Sequence, residues 1–175
     1  MSGGAHPNLN KQPALPGWPS PLPVKLKWLE PRIEQVVFTR AEVVVYWGKA
    51  LAKAKDAAIK GLSTDTALES AYSAGRLAAL AVLASRHIRI TAKSGHHELT
   101  FSAVAALGLK GCDDLVAESE EVRLARHNAD YLAETASPEE VQHALAWMRR
   151  TMPLLRAALI QGDPELASEL GSPGS

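Results

Sequence analysis

The pattern of apolar and polar residues predicts helices along most of the chain from Thr39 onward. A first helix is expected from the capping box Thr39-Arg40-Ala41-Glu42, in which hydroxyl and carboxylate each bond a backbone amide. It runs to Lys60 and stops at Gly61, because glycine readily adopts the left-handed conformation that ends helices. Apolar residues recur on one face at helical spacing, as expected of a helix packed on a core: Val43, Tyr46, Trp47, Ala50, Leu51, Ala54 and Ala58.

A second helix is apolar on nearly all sides and is therefore expected at the centre of the fold. It begins either at the capping box opened by Thr66 or at Ser63, and it extends to about His87. Arg76 is the exception, since a charge within an apolar helix must be paired or lie at an interface. A carboxylate of the run 118–121 is its expected partner.

Three more helices are predicted in the second half of the chain. A short one is capped around Ser94 and ends at about Leu107, before two glycines. The stretch Asp113–Tyr131 has an acidic start and a basic, polar end, as the helix dipole favours. The strongest start is Ser137-Pro138-Glu139-Glu140, which combines an N-cap, a proline at the first position and a capping glutamate, and this helix runs to about Gln161.

About five helices with short polar connections predict an all-α fold, an antiparallel up-and-down bundle over residues 39–161. Residues 1–38 form a proline-rich N-terminal arm and a packing segment. Within it, Val24–Phe38 fits either a short strand or a short helix opened by Pro31. Residues 162–175 are expected to be a short turn and a loose tail.

Composition fits one globular domain, with 175 residues of which 46% are hydrophobic. Net charge is zero, but residues 1–62 hold nine Lys or Arg against four acidic residues, and the remainder holds ten against fifteen. Such asymmetry is more typical of two solvated faces than of a nucleic-acid site. The single cysteine, Cys112, excludes an internal disulfide, and no signal peptide or membrane-spanning run is apparent, so a soluble cytoplasmic protein is expected.

Motifs for a cofactor are absent from the sequence: it shows no Gly-rich phosphate loop, zinc-ligand pattern or nucleophile elbow. The string His96-His97-Glu98 suggests a metal at first sight. Neighbouring residues point about 100° apart on a helix, however, and the helical metalloprotease pattern needs histidines four apart. Helix capping and packing are therefore the preferred interpretation, with no metal.

A dense polar cluster closes the helix that begins at Asp113. Guanidinium, imidazole, amide, carboxylate and phenol groups lie within nine residues: Arg123, Arg126, His127, Asn128, Asp130 and Tyr131. The pattern alone fits a charge-paired helix terminus, and it is also where chemistry is to be sought.

Leu62 to Leu159 resembles a HEPN domain, the helical module of many prokaryotic toxins, toxin partners and defence proteins. The similar segments are Ala71–Ile90, Ser94–Thr100, Arg123–Tyr131 and the closing amphipathic helix after Ser137. The resemblance covers more than half of the chain. It implies an up-and-down bundle that dimerises and places the polar motif of both protomers in a shared cleft.

Catalytic members of that family carry an Arg, a polar residue and then a His, with four to six residues between the Arg and the His. They cut RNA without metal, with the His as general acid and base and the Arg near the phosphate. By this resemblance Arg126 matches the Arg and His127 the polar residue, but Tyr131 stands at the fifth position and Asp130 at the fourth. The pair Arg123 and His127 is one residue too close, and a phenol with a pKa near 10 is a poor base at pH 7.

The resemblance and this departure from it predict a non-catalytic dimeric module. Its cleft would bind RNA, a nucleotide or a protein partner in a toxin–antitoxin or defence-type setting, through Arg123, Arg126, His127, Asn128, Asp130 and Tyr131. The alternative is a metal-independent endoribonuclease using Arg126 and His127. A third interpretation is an interaction module whose proline-rich arm and Lys-bearing first helix recruit another protein.

Overall fold

The computed structural model describes Leu26, Leu29 and residues 31–91, 96–112, 114–131 and 135–171. The side chains of His96, His97, Asp130 and Tyr131 fall outside this description. Most of the predicted proline-rich arm, the predicted cap Ser94, Asp113 and the end of the predicted tail also lie outside the described residues.

The all-α class predicted from the sequence is confirmed. Within the described ranges the chain forms a helical bundle, and its strands are two short segments of 3 residues each. The elements follow in the order β1 (Ile33–Gln35), α1 (Arg40–Ala57), α2 (Thr64–Ser85), β2 (Ile88–Ile90), α3 (His96–Ala106), α4 (Leu115–Tyr131), α5 (Pro138–Gly162) and α6 (Leu166–Glu169).

Two helices begin at the predicted capping boxes. At the start of α1, the Thr39 hydroxyl accepts the Glu42 amide at 3.3 Å and the Glu42 carboxylate accepts the Thr39 amide at 2.7 Å. At the start of α5, Ser137 and Glu140 form the same reciprocal pair at 3.2 and 2.8 Å. Each box satisfies two backbone donors that a helix terminus otherwise leaves unpaired.

Other helix ends differ from the sequence prediction by a few residues. α1 ends at Ala57 rather than at Lys60. The amides of residues 58 and 59 each donate to the carbonyl three residues earlier, both at 3.1 Å, and this tightens the last turn. Gly61 still takes a left-handed φ of 84° in the connection that follows. For α2, Ser63 is the cap, since its hydroxyl accepts the Thr66 amide at 3.2 Å.

As predicted, α2 lies at the centre of the fold, packed most extensively against α1 and α5 and also against α3 and α4. Its buried face is largely alanine, which allows close approach of the neighbouring helices. Tyr72 of α2 packs with Phe101 of α3 and Trp147 of α5, with ring centroids 5.6–6.2 Å apart. Gly75 leaves room for the Trp147 indole, which a Cβ at that position would contact at 2.3 Å.

A small antiparallel sheet ties the segment before α1 to the end of α2. Ile33 pairs with Ile90 and Gln35 with Ile88. The strand thus lies within the predicted packing segment, and Pro31 and Arg32 directly before it form a short 3₁₀ turn. Leu26 and Leu29 are fully buried, so this packing segment contributes to the same core as the bundle.

Candidate functional site

Arg123 is held within its own helix. Its Nε and Nη2 donate to the two carboxylate oxygens of Glu120 at 2.7 and 2.5 Å, one turn earlier on α4. The hydrogen bonds and charge of this pair raise the pKa of Arg123 and lower that of Glu120. This part of the cluster matches the charge-paired helix that the sequence pattern alone suggested.

Arg126 instead joins α4 to the central helix. Its Nε donates to the Glu69 carboxylate of α2, and its Cζ lies 5.7 Å from the centroid of the Tyr72 ring. Ser73 donates to the other oxygen of Glu69 at 2.7 Å and thereby helps to orient that carboxylate. A guanidinium at this distance over an aromatic face gains a cation–π attraction.

Three guanidinium groups act on the Tyr72 hydroxyl. Burial raises the pKa of Tyr72 to about 12, and the positive charges of Arg76, Arg126 and Arg123 oppose this shift. Arg76 lies one helical turn after Tyr72 on α2, and the other two arginines come from α4. These three arginines are called the guanidinium cluster below.

The predicted pairing of Arg76 with the acidic run of α4 is wrong. The three glutamates of that run are engaged elsewhere: Glu118 with Arg150 at 3.4 Å, Glu120 with Arg123, and Glu121 with His143 at 3.2 Å. Glu118 and Glu121 are three residues apart, lie on the same face of α4 and both contact α5. The sequence does not reveal that this face is turned toward α5. The buried Nε of Arg76 has no hydrogen-bond acceptor in the part of the chain that the structure describes.

Among the described side chains, the guanidinium cluster thus combines three positive charges with the directly bonded carboxylates of Glu69 and Glu120. Both carboxylates are partly exposed, with 40% and 38% of their side-chain surface accessible, so they can rotate toward solvent. Glu98 of α3 acts on Arg123 only electrostatically. The arrangement suits an anion that replaces a glutamate and reaches Arg76.

Two more residues predicted for the site, His127 and Asn128, have described side chains on α4. His127 is exposed on α4 and Asn128 is partly exposed. Adjacent helical residues point about 100° apart, so His127 does not share the direction of Arg126, although it lies one turn after Arg123. The side chains of Asp130 and Tyr131 lie outside the described residues, and their predicted binding roles stay predictions.

Sequence reasoning did not identify Tyr72 and Glu69 as part of the site. Their signal was present in the spacing, because Glu69, Tyr72 and Arg76 are three and then four residues apart and lie on one face of α2. The apolar residues around them made this helix look purely structural. What the pattern could not supply was the partner, Arg126, which is 57 residues away from Glu69.

Neither a membrane span nor a metal cluster is found in the described ranges. No described helix is both long and apolar enough to cross a bilayer. No group of three or more potential His, Cys, Asp or Glu ligands occurs among the side chains that the structure describes.

Comparison of the chain with family models, with curated proteins and with solved structures gave no match. The resemblance to HEPN domains therefore remains a prediction from the motifs quoted above.

Proposed function

We propose that this chain is a HEPN-like, non-catalytic module that binds RNA or a nucleotide through phosphate groups at the guanidinium cluster. The observation that carries the proposal is the buried Nε of Arg76, which has no acceptor among the described residues. An unpaired buried donor costs about 1–3 kcal/mol, and more when the group is charged. A bound anion that accepts this hydrogen bond removes that cost.

Phosphate is the anion that best suits several arginines at one place. A guanidinium presents donors in a planar fork that matches phosphate oxygens, and these charge-assisted bonds are about twice as strong as neutral ones. In the free protein Glu69 and Glu120 occupy Arg126 and Arg123. A phosphate competes with these carboxylates, so removing a carboxylate should strengthen binding.

The proposed module is non-catalytic, since among the described side chains the guanidinium cluster includes no group suited to proton transfer at neutral pH. A general acid or base works best with a pKa near the operating pH. The pKa of Tyr72 is raised to about 12, and the ring is fully buried. His127 is exposed on α4, adjacent to an arginine that faces α2.

As the HEPN resemblance implies, two copies would associate and present both polar motifs to one ligand. The same resemblance implies a toxin–antitoxin or defence-type setting. An acidic loop of a protein partner is the competing ligand. Sedimentation of the full chain with and without RNA measures the predicted dimer.

The test is a fluorescence anisotropy titration of short labelled single-stranded RNAs in metal-free buffer over a series of salt concentrations. Arg76→Gln should weaken binding and reduce the slope of log affinity against log salt by about 0.7, the value for one phosphate contact on a single strand. Glu69→Gln should strengthen binding, since Arg126 is then released. Arg149→Gln, at an exposed position of α5, is the matched control and should leave affinity and slope unchanged.

Opposite results would separate the alternatives. If the wild type bound no RNA at low salt, or if Arg76→Gln and Arg149→Gln behaved alike, the proposal would be refuted. Capture of an acidic protein partner that depends on Arg76 would then favour the competing ligand. Metal-free RNA cleavage that is lost in His127→Ala would make the protein an endoribonuclease, in agreement with the alternative predicted from the sequence.

A further inference from the structure

A second feature, separate from the guanidinium cluster, is a cavity where the start of α1, the end of α2 and the end of α5 meet. Its volume is about 460 Å³, and none of its lining residues belongs to the guanidinium cluster. Small-molecule sites in proteins commonly occupy about 300–1,000 Å³. The cavity therefore has room for a small organic ligand, and the proposed RNA-binding function leaves it unused.

The walls of this cavity combine an apolar side with a rigid polar turn. Phe38, Val43 and Leu166 supply apolar surface. On the polar side, the Nδ1 of His87 accepts the backbone amide of Phe38 at 3.1 Å, which fixes the imidazole in the wall. His87 has a φ of 58°, and a left-handed conformation costs a residue other than glycine roughly 1–2 kcal/mol, so tertiary contacts must hold the turn.

Arg86 supplies the positive charge of the cavity. Its guanidinium lies against Gly162, where an added Cβ would meet Nη2 at 2.8 Å and Cζ at 2.9 Å. Burial lowers the pKa of Arg86, which means that its charge has lost hydration without a compensating partner. Among the described residues no carboxylate forms an ion pair with it.

The other arginine of the cavity is already neutralised. Arg40 contacts the carboxylates of Asp163 at 2.8 Å, Glu165 at 2.6 Å and Glu169 at 3.8 Å. Three carboxylates around one guanidinium leave excess negative charge at the rim, which disfavours a polyanion or a phosphate dianion. Among anions, a ligand with a single negative charge that is bound to Arg86 meets the least repulsion from this rim.

We propose that this cavity binds a small organic carboxylate, with its carboxylate on the Arg86 guanidinium and a compact apolar body against Phe38, Val43 and Leu166. The planar carboxylate matches the guanidinium fork in a bidentate arrangement. The apolar body gains by leaving water for the apolar wall. Binding needs both parts of the ligand.

The experiment follows backbone amide shifts of the isotope-labelled full chain by NMR during titration with four probes. Benzoate carries both features, acetate lacks the apolar body, benzyl alcohol lacks the charge, and phenyl phosphate carries a dianion. Benzoate should produce saturable shifts centred on Phe38, Arg86 and His87. The other three probes should each bind at least about tenfold more weakly. Acetate loses the apolar contact, benzyl alcohol loses the hydrogen bond between charged groups, and the phenyl phosphate dianion is repelled by the carboxylates at the rim.

Variants then assign the charge. Arg86→Gln should weaken benzoate binding by about tenfold or more, whereas Arg149→Gln should not change it. Gly162→Ala, which crowds the guanidinium while keeping its charge, should also weaken binding and serves as a second variant if Arg86→Gln fails to fold. RNA affinity should be unchanged in Arg86→Gln, so this inference and the proposed function fail independently. Equal binding of benzoate and benzyl alcohol, unchanged affinity in Arg86→Gln, or no saturable benzoate binding would overturn the assignment.

Discussion

The packing of Trp147 on Gly75 gives the sharpest prediction about the core. A Cβ added at Gly75 would lie 2.3 Å from Cη2 and 2.7 Å from Cζ3 of the indole. The indole cannot move freely, because Tyr72 stacks on it at 6.2 Å and Phe101 meets it edge-on at 5.6 Å. Gly75→Ala should therefore force the aromatic cluster apart.

The loss of stability expected in Gly75→Ala can be estimated by comparison with a second helical glycine. Replacing glycine by alanine inside a helix stabilises by about 1 kcal/mol through propensity alone. Gly48 of α1 has no heavy atom within 4 Å of an added Cβ, so Gly48→Ala should gain that amount. Overpacking a core costs about 1–3 kcal/mol. Because the propensity gain is common to both variants, their difference isolates the packing cost, and we expect Gly75→Ala to be less stable than Gly48→Ala by about 1–3 kcal/mol.

Urea denaturation followed by far-UV circular dichroism measures both free energies of unfolding. In thermal scans the same difference corresponds to a Tm shift of about 2–4 °C per kcal/mol for a chain of this size. A Trp147→Leu background provides the control: the obstacle is then smaller, and Gly75→Ala should become neutral or stabilising. If Gly75→Ala were as stable as Gly48→Ala in the wild-type background, the close packing of Trp147 on α2 would be refuted.

Three further predictions concern the cap, the buried phenol and the contact between helices. Ser137→Ala should lower the free energy of unfolding by about 1 kcal/mol, since the Glu140 amide loses its acceptor, and an unchanged urea midpoint would contradict this. The folded protein holds the Tyr72 proton up to a pKa of about 12, against an ordinary value of 10.0 in the unfolded chain. The contribution of Tyr72 to the free energy of unfolding is therefore present below pH 10 and is lost as pH rises toward 12. Tyr72→Phe should remove this loss. An ultraviolet titration in which every phenol ionises near pH 10 would contradict the raised pKa. A double-mutant cycle of Arg126→Gln and Glu69→Gln, read by urea denaturation, should give a coupling energy of about 1 kcal/mol or less, because the ion pair is partly exposed. A coupling energy well above this value would contradict the prediction.

Helix starts were the part of the fold that local sequence predicted best. Thr39 with Glu42 and Ser137 with Glu140 form the expected capping boxes because both partners lie within one turn of chain. The end of α1 was predicted less well. Residues 58–60 are compatible with helix by propensity, and only the tightened turn at Ala58 shows where the helix stops.

The small sheet shows what local patterns miss. The local pattern left Val24–Phe38 open between strand and helix, and within it the strand forms at Ile33–Gln35 because Ile88–Ile90 is there to pair with it. A short isolated strand has little stability of its own, so its position depends on its partner. That partner follows α2 and is brought close only when the bundle forms.

The candidate site divides in the same way. The sequence located Arg123 and Arg126 by their dense polar surroundings, and it identified Arg76 as a charge that needed a partner. It assigned Arg76 the wrong partner, because the choice among carboxylates depends on how α4 is rotated against α2 and α5. Tyr72 and Glu69 became part of the site only through that packing.

The sequence by itself determined the helical class, most helix starts and the residues rich in chemistry, because capping, periodicity and side-chain type act within a few residues. Only the tertiary structure decided that Arg126 reaches Glu69, that Arg76 has a buried donor without an acceptor among the described residues, and that Arg86 lines a cavity with Phe38 and Leu166. These contacts join residues far apart in the chain, and they depend on the rotation and approach of whole helices.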